Sequence, residues 1–217
     1  MTFNAVLFDL DGTLLDTLED LADSMNAVLA SRGRPVHPVA SYRSFVGDGM
    51  EVLAKRVLPA GLAGDTQEVQ ACVAAMGDEY AARWKVKTHL YPGIAKLLDA
   101  LSDKHVLLTI LSNKPHTFVQ EITSHFLGKW HFATTQGARP EMPRKPDPTA
   151  ALAICRELGI GPDRFLYLGD TNTDMQTARA AGMFPVGALW GFRSEEELRK
   201  AGARFLAAQP LDVLSMF

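Results

Sequence analysis

The sequence predicts an α/β fold: a parallel sheet covered by helices on both faces, with an all-helical segment inserted after the first strand. Three observations carry this. Short, nearly continuous apolar runs recur along the chain with helical patterns between them, as in strands buried on both faces. The interval from Thr17 to Leu90 drops that alternation and keeps only helical periodicity. Polar segments rich in Asp, Lys, Ser and Asn follow the apolar runs in order, where the strands of an open parallel sheet end and sites form.

Ala5 to Leu10 reads as the first strand. Thr17 to Leu90 follows as a separate helical subdomain, with Leu18, Leu21, Ala22, Met25, Val28 and Leu29 on one helical face, then Phe45 to Leu58 and Val69 to Trp84. Gly33-Arg34-Pro35, Pro59 to Gly64 and Tyr91-Pro92-Gly93 punctuate it. Beyond it, Val106 to Leu111, the short Phe132-Ala133-Thr134, Phe165 to Leu168 and Phe184 to Leu189 read as strands. Pro148 to Leu158 and Asp174 to Ala181 read as helices stopped by Gly159 and Gly182. Arg193 to Lys200 reads as a solvated amphipathic helix with Leu198 inward. The expected division is a core of residues 1–16 and 91–217 and a helical domain of residues 17–90. There is no internal repeat and no low-complexity tract.

At 217 residues and 47% apolar, the chain can bury one substantial core plus a small accessory domain. A net charge of −3 gives no general drive toward nucleic acid or anionic membrane, so an anionic substrate must be captured by local cations. Cys72 and Cys155 lack metal-ligand spacing and suit a reduced intracellular setting. Met1-Thr2-Phe3-Asn4 has no basic leader, and no apolar run is long enough to span a bilayer. The expectation is a cytoplasmic protein without nucleic-acid or membrane partners.

The chemistry concentrates in Asp9-Leu10-Asp11-Gly12-Thr13, at the end of the first strand. Two like charges side by side are expensive to bury unless a cation shares the site. A hard divalent ion such as Mg²⁺ would neutralise them and leave one carboxylate oxygen to attack an electron-poor centre. Three further segments follow: Ser112-Asn113-Lys114, Arg144-Lys145-Pro146-Asp147-Pro148, and Gly169-Asp170-Thr171-Asn172-Thr173-Asp174. Each alone is an ordinary turn, cap or loop. All four in order, each at a strand end or loop, leave coincidence a small share.

With FDLDGTLLDT at Phe8–Thr17, RSFVGDG at Arg43–Gly49, LYPG at Leu90–Gly93, LSNKP at Leu111–Pro115, RKPDP at Arg144–Pro148 and LGDTNTDM at Leu168–Met175, the chain resembles the haloacid dehalogenase-like hydrolases, and among them the phosphoglycolate phosphatase type. The resemblance covers nearly the whole length. Ser112 stands where many relatives have Thr, and Asp48 lies where relatives vary, which bears on substrate choice. It implies a Rossmann-like core with a helical cap and a Mg²⁺-dependent phosphatase acting on a small phosphorylated metabolite, as monomer or homodimer.

The resemblance assigns Asp9 as the nucleophile forming an aspartyl phosphate, and Asp11 as the acid that protonates the leaving alkoxide and then the base for water. Thr13 is expected to hold the turn and orient Asp11. Ser112, the amide of Asn113 and Lys145 are expected on the phosphoryl oxygens. The metal shell is assigned to Asp9, the backbone carbonyl of Asp11, and Asp170. Asp174 either holds a metal-bound water or fixes Lys145, and Lys145 is the only obvious counter-charge. In the helical insert, Arg43 and the Gly47-Asp48-Gly49 loop are candidates for substrate binding, weighed evenly against a surface Arg and an ordinary turn. No histidine is offered as catalytic, and Trp84, Trp130 and Trp190 read as packing residues. The runners-up are a β-phosphoglucomutase-like phosphomutase, an inorganic pyrophosphatase and a dehalogenase, the last opposed by Asp11. From a different class comes a phospho-accepting receiver-type signalling domain, opposed by length and by the acceptor lying on the first strand.

Overall fold

A computed structural model describes residues 3–217; Met1 and Thr2, which the expected core range includes, lie outside the described residues. Eight strands and nine α-helices follow in order: β1 (Ala5–Phe8), β2 (Leu15–Asp16), α1 (Leu18–Ser31), α2 (Tyr42–Phe45), α3 (Met50–Val57), α4 (Thr66–Arg83), β3 (His89–Leu90), α5 (Ile94–Asp103), β4 (Leu107–Pro115), α6 (His116–Leu127), β5 (Phe132–Ala138), α7 (Thr149–Leu158), β6 (Phe165–Gly169), α8 (Asn172–Ala181), β7 (Phe184–Ala188), α9 (Glu195–Ala201) and β8 (Phe205–Ala207). Six strands form one sheet in the order β5-β4-β1-β6-β7-β8, all pairings parallel, and β2 pairs with β3.

The sheet is buried on both faces, as its continuous apolar strands require. Ala5, Leu7, Phe165 and Tyr167 pack with Ala150, Ala151, Ile154 and Cys155 of α7 and with Ala178 and Ala181 of α8. Val6, Phe8, Leu166 and Leu168 alternate with them and are equally buried. A second cluster joins Met175 of α8 to Leu198 and Ala201 of α9, so Leu198 faces inward as expected. Because β1 lies between β4 and β6, the strand order reverses at β1, and the carboxyl ends of these three strands border the crevice where open α/β sheets place ligands.

The chain divides into two compact units: one runs through Asp16 and resumes over Leu90–Phe217, and the other is Thr17–His89. The second contains α1 to α4 and no sheet of its own. Within the expected helical stretch Phe45 to Leu58, α2 ends at Phe45 and α3 starts at Met50; between them Gly47 (φ 113°) and Gly49 (φ 92°) hold backbone conformations outside the helix, at the loop read there from the sequence. Strands β4 and β5 run past their expected ends at Leu111 and Thr134. Helices α5 and α6 and strand β8 are additions to the sequence reading. Cys72 and Cys155 are buried free thiols. Among the described residues no helix is long and apolar enough to cross a membrane.

Within the helical unit, Asp20 ties its first and last segments together. The side chain, on the first turn of α1, is 1% exposed and accepts hydrogen bonds from the backbone N–H of Lys87 (3.0 Å) and Thr88 (2.8 Å) and from the Thr88 hydroxyl (2.8 Å). Lys87 Nζ reaches back to Asp23 at 2.8 Å. Asp20→Ala strips three donors of their acceptor and is expected to cost about 2–3 kcal/mol. That equals a Tm lowered by roughly 5–10 °C for a chain of this size. Thermal and urea unfolding of the variant measure it, and a loss within experimental error would remove Asp20 as the tie.

Candidate active site

Asp9 leaves β1 at the centre of the sheet. Its backbone N–H donates to Leu168 O on β6 (2.9 Å), which continues the ladder one residue past the strand, and its Oδ1 accepts from Leu10 N (2.7 Å). The carboxylate is nearly buried and faces a cation, Lys145 Nζ, 3.0 Å from Oδ1.

Lys145 is fixed at both ends. Asn113 clamps its backbone, accepting from Lys145 N through Oδ1 (2.9 Å) and donating Nδ2–H to Lys145 O (3.1 Å). The ammonium meets Asp174 Oδ1 (2.7 Å), Leu111 O (3.1 Å) and Asp9 Oδ1. An ammonium has three hydrogens, and these three acceptors match them. Burial would push the Lys145 pKa down, but Asp174 and Asp9 outweigh it and hold it well above the ordinary lysine range. Lys145 is therefore a permanent positive charge between two carboxylates. The side-chain amide of Asn113 serves Lys145.

Asp170 and Asp174 come from the end of β6 and the start of α8. Thr171 caps α8, its hydroxyl accepting from Asp174 N (3.3 Å) while Asp174 Oδ2 accepts from the Thr171 N–H (3.0 Å) and hydroxyl (2.7 Å). Asp174 Oδ1 takes the Lys145 ammonium and the Tyr167 hydroxyl (3.3 Å). The contact with Lys145 is the one that the second of the two expected alternatives requires. Asp170 Oδ1 accepts from Thr13 Oγ1 (2.8 Å) and Oδ2 from Phe192 N (2.9 Å). The expected role of Thr13 is thus corrected. Its hydroxyl fixes Asp170 instead of Asp11, because the turn after β1 carries it toward the end of β6. Close approach is needed throughout: a Cβ on Gly12 (φ 86°) or Gly191 would strike Asp170, and one on Gly169 would strike Asp174.

The Asp11 side chain lies outside the cluster of Asp9, Asp170 and Asp174, and its Oδ1 accepts from Lys114 Nζ at 2.7 Å. Lys145 is therefore not the only counter-charge. Lys114 is a second buried cation, which the sequence reading left inside a motif without a role. Ser112 Oγ accepts from Lys114 N (3.2 Å) and is buried beside it. Trp190, read as packing, also donates its Nε1–H to Thr13 O (2.9 Å).

One oxygen each from Asp9, Asp170 and Asp174 lie within 4.8 Å of one another. Four carboxylates, those of Asp9, Asp11, Asp170 and Asp174, face two ammoniums, those of Lys114 and Lys145, so −4 + 2 leaves −2 when all are ionised. Two of the four carboxylates are held above the ordinary carboxylate range, chiefly by burial. Burial, then Asp174, pushes Asp170 up to about 7. Burial and Asp174 likewise raise Asp9 well above the carboxylate range against the pull of Lys145. A divalent cation on oxygen ligands matches both the donor set and the residual charge. Asp9 and Asp170 would hold it.

Arg43, Gly47, Asp48 and Gly49 belong to the helical unit, Arg43 on α2 and the others between α2 and α3. Arg56 of α3, absent from the sequence reading, donates to Phe45 O (2.9 Å) and to Asp48 Oδ2 (2.6 Å) and so braces that loop.

Residues 6–188 match the model of the haloacid dehalogenase-like hydrolase family. A phosphoglycolate phosphatase from Pseudomonas putida is 34% identical over 190 residues, 86% of this chain and 70% of the relative. The crystal structure of a protein from Lactobacillus delbrueckii subsp. bulgaricus superposes with a TM-score of 0.91 at 29% identity, covering 98% of this chain and 97% of that one. A haloacid dehalogenase-like family hydrolase from Streptococcus pneumoniae gives 0.88 at 25% identity, over 98% and 97%. A two-carboxylate turn at the switch point of a parallel sheet, a clamped lysine and a capped acidic helix start thus coincide with matches over most of the chain, and the chain belongs to the haloacid dehalogenase-like hydrolases, in their phosphoglycolate phosphatase-like branch.

Proposed function

We propose that this phosphatase hydrolyses a small phosphomonoester, with 2-phosphoglycolate the best-matched substrate, through an aspartyl phosphate on Asp9 and with Mg²⁺ as cofactor. The observation that carries the reading is the setting of Asp9: a carboxylate at the switch point, 3.0 Å from a fixed ammonium and grouped with Asp170 and Asp174. The curated relatives are phosphoglycolate phosphatases, which supports the substrate class.

Asp9 attacks phosphorus and the alkoxide leaves; Asp11 supplies the proton to that oxygen and then takes one from the water that cleaves the acyl phosphate. Lys145 holds its charge beside Asp9 throughout, so charge moving from the carboxylate onto the phosphoryl oxygens stays near a cation that need not reorient. Ser112 and the Asn113 backbone amide lie at the end of β4 and bind those oxygens. Asp9 and Asp170 would hold Mg²⁺, which would offset the residual −2 of the site and so let the phosphate approach Asp9. The helical unit acts as a cap that selects the substrate, and the Arg43 fork suits a substrate carboxylate.

Asp9→Asn is expected to abolish turnover with the fold intact, since an amide cannot form the acyl phosphate. Phosphate release and circular dichroism on the purified variant measure this, and activity above a trace would exclude Asp9 as nucleophile. EDTA should stop release and excess Mg²⁺ restore it.

Arg43→Ala is expected to raise KM for phosphoglycolate by about tenfold or more, the loss of a charge-assisted pair. It should leave p-nitrophenyl phosphate, which has no carboxylate, little changed. Equal losses on both substrates would point to folding in place of recognition.

Asp170 titrates at about 7 in the fold against 3.8 for an ordinary Asp, so the metal-free native state binds its proton more tightly than the unfolded chain. That contribution to stability is complete below the unfolded value and is lost as pH rises through the folded one. The metal-free Tm is therefore expected to fall from about pH 5 to about pH 8. The Tm gain from added Mg²⁺ should grow over the same range, because its ligands must be ionised. A Mg²⁺ gain independent of pH in differential scanning calorimetry would contradict this.

A further inference from the structure

We propose that Lys114 is a positioning residue for the reaction: it holds the Asp11 carboxylate in place for proton transfer. The proposal rests on the reading of Asp11 as proton donor and acceptor. The contact is short, Lys114 Nζ to Asp11 Oδ1 at 2.7 Å, and shielded, with the two side chains 3% and 16% exposed.

The two partners differ in how firmly their backbones are held. Lys114 sits in β4, its N–H donates to Ser112 Oγ (3.2 Å), and the next residue, Pro115, pairs with Ala138 of β5. Strand β5 also backs directly against it: a Cβ on Gly137 would lie 2.7 Å from Lys114 O. The ammonium therefore starts from an anchored strand end. Asp11 stands on the turn after β1, followed by Gly12 at φ 86° and bridged to Leu15. A carboxylate on a turn has other rotamers open to it, and a proton donor works only within hydrogen-bond reach of the leaving oxygen. A fixed cation at one oxygen removes much of that freedom and leaves Oδ2 for the proton.

Burying a lysine to pair one carboxylate is an inefficient way to stabilise a fold, because desolvation of the ammonium offsets the attraction. A merely structural Lys114 and a positioning one therefore predict different behaviour. Lys114→Met and Lys114→Arg would be made in the full chain and assayed with Mg²⁺ on phosphoglycolate and on p-nitrophenyl phosphate, with inorganic phosphate as competitive inhibitor. Lys114→Met is expected to lower kcat on phosphoglycolate by about 10–100-fold, part of what general acid–base catalysis supplies. KM and the inhibition constant of phosphate should stay within about twofold, since substrate binding is untouched. Single-turnover transfer from p-nitrophenyl phosphate, whose leaving group needs no proton, should fall much less. Lys114→Arg, which keeps the charge, should recover part of kcat. Asp11→Asn with Lys114→Met should lose no more than Asp11→Asn alone, because one acts through the other.

A phosphate inhibition constant weakened by about tenfold, with losses that multiply in the double variant, would overturn the proposal and make Lys114 a phosphoryl ligand. An unchanged kcat, or a kcat loss accounted for by the unfolded fraction at assay temperature, would overturn it as well. The underlying reading fails separately: Asp11→Asn with wild-type kcat would remove the proton-transfer role and this proposal with it, whereas a crippled Asp11→Asn beside a silent Lys114→Met removes the proposal alone.

Discussion

Two of the carboxylates at the carboxyl end of the sheet depend on one buried ammonium. Lys145 Nζ stands 2.7 Å from Asp174 and 3.0 Å from Asp9, and neither carboxylate would be tolerated there without it. The ion pair is only as good as its geometry, since desolvating the charges costs more than a loose contact returns. That explains the hardware around it. Asn113 clamps both backbone polar groups of Lys145, the capping box fixes Asp174, and the Tyr167 hydroxyl meets the same Asp174 oxygen as the ammonium.

The sheet topology supplies these groups from segments far apart in sequence. Asp9 follows β1, Asn113 lies near the end of β4, Asp170 follows β6, and only a parallel sheet with β1 between β4 and β6 brings those ends to one edge. The glycines then set how closely they meet. Gly12, Gly169 and Gly191 lie where a single methyl group would collide with Asp170 or Asp174. Thr13 and the Phe192 N–H approach Asp170 from two sides through the space these residues leave open.

Much of this was legible in the sequence. Short-range patterns carried the first strand, the two helices stopped at Gly159 and Gly182, and the inward face at Leu198, because apolar periodicity and stop residues are local signals. The four motifs pointed to one site because parallel strands must end on the same side. What stayed hidden depends on side-chain direction across elements. Nothing within Ser112-Asn113-Lys114 says that Asn113 reaches the Lys145 backbone or that Lys114 reaches Asp11, more than a hundred positions back. Thr13 looked tied to its neighbour Asp11 by proximity alone, whereas the turn sends its hydroxyl to Asp170. Strand β8 was missed because three residues on a sheet edge carry too little pattern.

The surplus of two negative charges links function to stability. A site built to take a divalent cation would carry surplus negative charge without it, and burial, with Asp174 beside them, raises the pKa values of Asp9 and Asp170. Filling the surplus with a third lysine would stabilise the empty fold and would also repel the divalent ion. Removing a carboxylate would stabilise it at the expense of a proposed metal ligand or of the proposed nucleophile. The rest of the sheet unit must therefore carry the deficit, and it does so with strands whose side chains are buried on both faces and with helices α7 and α8 packed through small Ala contacts close to the sheet. On this argument, ligands that complete the charge also stabilise the fold, since they bind the native state alone.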